Sequence, residues 1–264
     1  MDVERDQPHH TTKTAVLLEH LVWTDGYEAP FCTASGGISS SFSHPEGYSQ
    51  WVVASRLDPG AQLQWDTGHG DEVLHVVGGS LTVDDDRQCG SGGTVIIEAN
   101  VPARVRADEP TDLVHFGPTS GDAVVGGELG PPAPDGHVVH VVGPQGIAYV
   151  DGDTGYHTVF HADSTCPTCR VTFLVTSSDG PRISPSHSHS ADEIIHVTKG
   201  EIQVGRITVG TGMSIAIPAN VRYGFRTRGY EFLNYRENAS FYSRHGQPSI
   251  LETADVTGAI RSAV

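Results

Sequence analysis

His187-Ser-His-Ser-Ala-Asp-Glu193-Ile-Ile-His-Val-Thr-Lys-Gly200-Glu-Ile-Gln-Val204 is the stretch whose reading decides the rest of the chain. Residues two apart on a strand share a face, so His187 and His189 can aim both imidazoles at one point. Glu193, just across a bend, adds a carboxylate. Two neutral imidazoles and a carboxylate, with coordination positions left over, suit a divalent first-row metal of the iron, manganese or zinc kind. Open positions imply chemistry rather than structure alone. Downstream, two strand-like runs flank Lys199-Gly200, and the spacing predicts a β-hairpin in which Gly200 supplies the positive φ of a tight turn.

The stretch has an echo within the chain. Asp71-Glu-Val-Leu-His-Val-Val-Gly-Gly-Ser-Leu-Thr-Val83 lines up with residues 192–204, and after a one-residue gap residues 90–101 line up with 210–221. In this register Asp66 and Gly68 stand where His187 and His189 stand, Glu72 matches Glu193, and Ala103 matches Tyr223. The first half therefore offers a carboxylate and no imidazole, since His69 falls on the strand face opposite Gly68, and it is expected to be metal-free. His75 and His196 share one repeat position, with ligands in one half and without them in the other, and read as structural. Short Val/Ile-rich runs separated by turn residues, with 31 Gly and 16 Pro, predict an all-β protein with many turns. A chain of 264 residues divides into two units, 1–130 and 131–264, with the breaker-rich segment 128–136 as linker. Residues 14–21, equally suited to a strand, and the last dozen residues are the helical candidates.

These residues resemble the cupin superfamily. Its first motif, His-x-His, a Glu four positions later and a Gly seven further on, is matched at His187, His189, Glu193 and Gly200. The second, a Gly, five residues, a Pro and a His five positions on, is matched at Gly212 and Pro218, but Tyr223 holds the His position. The resemblance covers about 50–115 and 170–237. It implies two tandem cupin-type barrels (double-stranded β-helix, or jelly-roll), with one divalent metal per chain on His187, His189 and Glu193. Iron(II) is the first choice, with Mn, Zn or Ni as alternatives. Tyr223 is a candidate catalytic group, either a ligand, an acid or base beside a metal-bound group, or a pocket wall. Cupins span dioxygenases, decarboxylases, isomerases, cyclases, lyases and binding modules. The first reading is an iron(II) dioxygenase holding a small organic substrate and dioxygen together. A redox-neutral isomerase, cyclase, lyase or hydrolase on Zn, Mn or Ni is the alternative, and a non-catalytic small-molecule sensor the third. A homo-oligomer, a dimer, is implied on the same basis.

A net charge of −16, from 16 basic and 32 acidic residues, repels a phosphate backbone and speaks against a nucleic-acid partner. No apolar run is long enough for a membrane span and the N-terminus lacks a signal-peptide pattern, so a cytoplasmic protein is the expectation. Cys166-Pro-Thr-Cys169, preceded by His157 and His161, reads first as a pair of loop cysteines, with a redox pair or disulfide and a small zinc site as alternatives.

Overall fold

The computed structural model of the protein describes residues 14–119, 136–152, 155–237 and the backbone of 242–244. Among these residues every regular element is a strand. The Val/Ile-rich runs are buried on both faces, which is why they read as continuous apolar segments rather than as clean alternation. The two faces have different duties. Ile195 and Val197 point into one barrel, with Ile215, Ile217, Tyr223, Phe225 and Phe232. Ile194, the residue before Ile195, points the other way, toward Ala216, Leu233 and Tyr235. The first half repeats the scheme, with Leu74 and Val76 inside its barrel and Val73, Ile96 and Phe116 facing outward.

The outward faces meet. Phe116 stacks on Tyr235 with ring centroids 5.5 Å apart and packs against Phe173 at 5.7 Å. Each such fully buried side chain contributes roughly 1.5–3 kcal/mol over its exposed state, so this seam joins the halves into one core.

Strand pairing also crosses the midline. The Val16–Leu18 strand pairs with Ser214–Ile217 in the second-half sheet, and Val139–Val142 pairs with Thr94–Ile97 in the first-half sheet. Each half thus lends the other an edge strand. Side-chain contacts repeat the exchange: the Asp71 carboxylate accepts the N–H groups of Ala99 and Arg170, as Asp192 accepts those of Ala219 and Ser49. Asn100 and Asn220, at φ 63° and 62°, make the same turn in both halves and donate their N–H to the carbonyls of His69 and His189.

Two expectations change, and the choice left open for residues 14–21 closes. Glu193–Val204 is one continuous strand, so Gly200, at φ 71°, bends that strand between two bulges instead of closing a hairpin; the hairpin turn is at Gly205, φ 60°. Bulges absorb the extra residue and steepen the bend that wraps a strand around a barrel. Residues 14–21 contain a strand and no helix. Strand pairing sets Trp65 against Ala103 as it sets His187 against Tyr223, so Trp65 takes the place that the repeat gave to Asp66, whose side chain is exposed. The division near residue 130, most of the proposed linker and the last dozen residues lie outside the described residues.

Candidate metal centre in the second barrel

His187 and Tyr223 form an antiparallel bridge, each donating its N–H to the other's carbonyl at 2.8 Å. Directly opposed residues put their side chains on one face. Hence the Tyr223 ring lies 4.4 Å from that of His187 and 6.3 Å from that of His189, and the two imidazoles lie 5.2 Å apart. The strand geometry therefore brings together the residues that the spacing selected, and all are buried.

The partners of these groups set their chemistry. His187 Nδ1 donates to the Pro185 carbonyl at 2.8 Å, which places the lone pair of the ring on Nε2, the arrangement in which a second hydrogen bond orients a metal-binding imidazole. Burial, then the charge of Arg236 and the neighbouring His187, pushes the His189 pKa far below the ordinary imidazole value, so this ring is neutral at neutral pH. Glu193 Oε2 accepts a hydrogen bond from Asn234 Nδ2 at 2.8 Å and lies 3.8 Å from His189 Nε2.

Arg236 is the residue that motif reading missed. Its Nη1 lies 2.9 Å from both ring nitrogens of His189 and 3.6 Å from Glu193 Oε2, with the side chain almost wholly buried. Its inward orientation was legible in principle: Phe232, Asn234 and Arg236 alternate with Leu233 and Tyr235, so the polar pair falls on the barrel-facing register. The donor set of two neutral imidazoles and a carboxylate fits a divalent first-row ion, but the guanidinium holds two of its members. An ion bound to these groups would have to displace the Arg236 contacts.

In the first barrel the equivalent carboxylate is committed differently. Glu72 Oε2 accepts from Trp65 Nε1 at 2.6 Å and from His115 Nε2 at 2.8 Å, while the Tyr27 hydroxyl donates to His115 Nδ1 at 2.6 Å. Glu72 and His115 are both 0% exposed and Trp65 is 1% exposed. By strand pairing His115 is the counterpart of Asn234, and Gly117 that of Arg236. His69 is buried with its ring nitrogens against the carbonyls of Gly70 and Val101. His75 and His196 each pair through Nδ1 with a hydroxyl on the next strand, Thr94 at 3.0 Å and Ser214 at 2.8 Å.

The Cupin domain family matches residues 173–233. A search of curated protein sequences finds no match. Among solved structures, Bacillus subtilis oxalate decarboxylase at pH 4.6 superposes with a TM-score of 0.63 at 14% identity, over 87% of this chain and 78% of that one. A two-residue deletion variant of the same enzyme gives 0.66 at 13% identity over 94% and 85%. A further structure of it, described through its Mn(II) centres, gives 0.64 at 13% identity over 94% and 85%. At such identities the likeness is one of fold.

Proposed function

We propose, for a chain that belongs to the cupin superfamily and folds as two of its barrels in tandem, that the second barrel is a divalent-metal centre acting on a small organic acid. His187, His189 and Glu193 are the proposed ligands. The observation that carries the reading is the convergence of these side chains with Tyr223 inside one barrel, beside the buried Arg236. A bound divalent ion supplies Lewis acidity and a template for substrate oxygens. Arg236, displaced from the ligands, presents a planar donor fork to a substrate carboxylate. Tyr223, packed on His187, is the proton donor or acceptor at the substrate.

The substrate class follows from Arg236, since a buried cation is stabilised by an anionic partner. A redox-neutral lyase on Mn, Zn or Ni is favoured by that cation, and the fold shared with a Mn(II) decarboxylase supports it. An iron(II) dioxygenase is the second reading, favoured by a protein donor set of three, which leaves positions for substrate and dioxygen together. We further propose that the chain acts as a homodimer.

The test is elemental analysis of protein purified without chelators, followed by assays of small mono- and dicarboxylic acids after reconstitution with each metal. Carbon dioxide release without dioxygen consumption supports the lyase. Stoichiometric dioxygen uptake with iron(II) supports the dioxygenase. Metal content unchanged by His187→Ala with His189→Ala rejects the centre, and a ligand that binds without turnover assigns the barrel to sensing.

A further inference from the structure

Away from the barrel interior, one group of ligand-type side chains among the described residues has all its donor atoms within 4.8 Å of one another: Glu98, His140, Cys166 and Cys169. They come from three segments. Glu98 follows the Thr94–Ile97 strand of the first half, His140 lies on the exchanged Val139–Val142 strand, and both cysteines sit in the loop before Val171–Ser178 of the second half. The Cys166-x-x-Cys169 spacing recruits neither of the histidines that precede it. His157 bonds Asp151 at 2.5 Å on the surface, and His161 packs against His75 at 5.8 Å between ring centroids.

We propose that Glu98, His140, Cys166 and Cys169 bind a structural zinc ion that ties the two barrels together. Cys166 Sγ is 3.8 Å from Glu98 Oε1 and 3.9 Å from His140 Nε2, and neither cysteine is in a disulfide. The edges of a tetrahedral zinc site, from bonds of about 2.0–2.3 Å, are roughly 3.3–3.8 Å. The thiol distances thus already approximate such a site, while His140 Nε2 and Glu98 Oε1, now 2.6 Å apart, open slightly as both turn to the ion. The Cys169 N–H donates to Cys166 Sγ at 3.2 Å, which fixes the position of that sulfur beside the other three side chains. Thr168 Oγ1 and the Val138 N–H hold the Glu98 carboxylate in orientation, at 2.6 and 3.3 Å. Two thiolates, a carboxylate and a neutral imidazole match the soft-plus-borderline donor set of zinc and close the coordination shell, as a structural site requires.

The pseudo-symmetry of the two halves shows that the fold does not demand this cluster. Strand pairing sets Val16 where His140 stands, and the repeat sets Pro218 at the position of Glu98; the contacts of Ser49 and Arg170 set Tyr48 at that of Cys169. An apolar and proline-bearing corner serves on that side. Buried Glu98, 0% exposed, and two thiols replace it on this side alone.

The experiment is metal analysis of the full-length protein, purified without chelators, as wild type, as Cys166→Ser with Cys169→Ser, and as His187→Ala with His189→Ala. One equivalent of zinc per chain should be lost in the cysteine variant and retained in the histidine variant, so the chain holds two metal sites and the expectation of one per chain counts only the barrel. Cobalt(II) substitution gives a second readout that needs no variant to fold. A thiolate-to-cobalt charge-transfer absorption should appear in the wild type and persist in the histidine variant, because the barrel site has no sulfur donor. Its absence from cobalt-loaded wild type, zinc content unaffected by the cysteine changes, or a Cys166–Cys169 disulfide in the protein as isolated under reducing conditions each overturns the proposal. Failure of the barrel site alone leaves the cobalt signature intact, which keeps the two readings distinguishable.

Discussion

At the scale of single residues, the proposed centre separates two roles that one substitution each can isolate. Tyr223 packs on His187 while three other side chains supply the proposed ligands. Tyr223→Phe should therefore leave metal content unchanged and lower turnover by about 10²-fold, the usual scale for loss of a general acid or base. If Tyr223 is a ligand, the change weakens metal binding and Tyr223→His restores it; unchanged metal and unchanged turnover leave it as a pocket wall. Arg236 stands against His189 and Glu193, so a metal and the guanidinium draw on the same electron pairs. Arg236→Leu should tighten metal binding, read by competition with a fluorescent chelator. It should also raise KM for a carboxylate substrate by roughly 10–100-fold, the scale of one charge-assisted hydrogen bond. Weaker metal binding in this variant would identify the guanidinium as support for Glu193 rather than as its competitor.

At the scale of elements, the long Glu193–Val204 strand carries Glu193 into the second barrel and then has to bend to complete the wall. Gly200 makes that bend possible for two reasons: its φ of 71° lies in the left-handed region, and a Cβ there would sit 2.2 Å from the Gly229 carbonyl oxygen. Gly205, at φ 60°, has the first constraint without the second, because a Cβ there meets nothing within 4 Å. Gly200→Ala should thus cost clearly more than Gly205→Ala, on the order of 2–4 kcal/mol against about 1 kcal/mol. Urea unfolding measures both, and equal costs would mean that the Gly229 carbonyl moves aside freely.

At the scale of the whole molecule, the seam between the barrels contains histidines that fold as neutral rings. Burial lowers His75 and His196 to about 3, and His161 to about 4, from an ordinary value of 6.5. In the unfolded chain these rings protonate near pH 6.5, whereas in the folded chain they do so only below pH 4, so unfolding takes up protons between those values. Stability is then fully present above pH 6.5 and is lost as pH falls toward 4. Glu237, raised by burial to about 7, opposes the trend between pH 7 and 4.5, because there the folded state holds a proton that the unfolded state releases. One carboxyl against three imidazoles leaves the loss dominant, at about 1.4 kcal/mol per net pKa unit per group. Melting temperature should fall steadily from pH 6.5 to 4.5 and more steeply below. A flat profile would place these histidines in contact with solvent. Light scattering should give twice the chain mass for the proposed homodimer, and a concentration-independent monomer mass would refute it.

What the sequence by itself determined is local and periodic. The Val/Ile-rich runs separated by turn residues identify an all-β chain, and the two-residue spacing of His187 and His189 sets both rings on one face. The internal repeat showed that Glu72 lacks imidazole companions at the matching positions. Each of these follows from which face a side chain takes, and the pleat of the strand sets that face without reference to distant residues. The pairing of distant faces is another matter. That Arg236 reaches His189 follows from the antiparallel register between the Glu193–Val204 and Phe225–Glu237 strands. That Trp65, not Asp66, stands in the place of His187 follows from its pairing with Ala103. The exchange of Val16–Leu18 and Val139–Val142 between the halves, and the meeting of Glu98 and His140 with Cys166 and Cys169, depend on the packing of one sheet against another. Such meetings are decided by the shape and area buried in the seam, a property of the assembled core that no local pattern along the chain encodes.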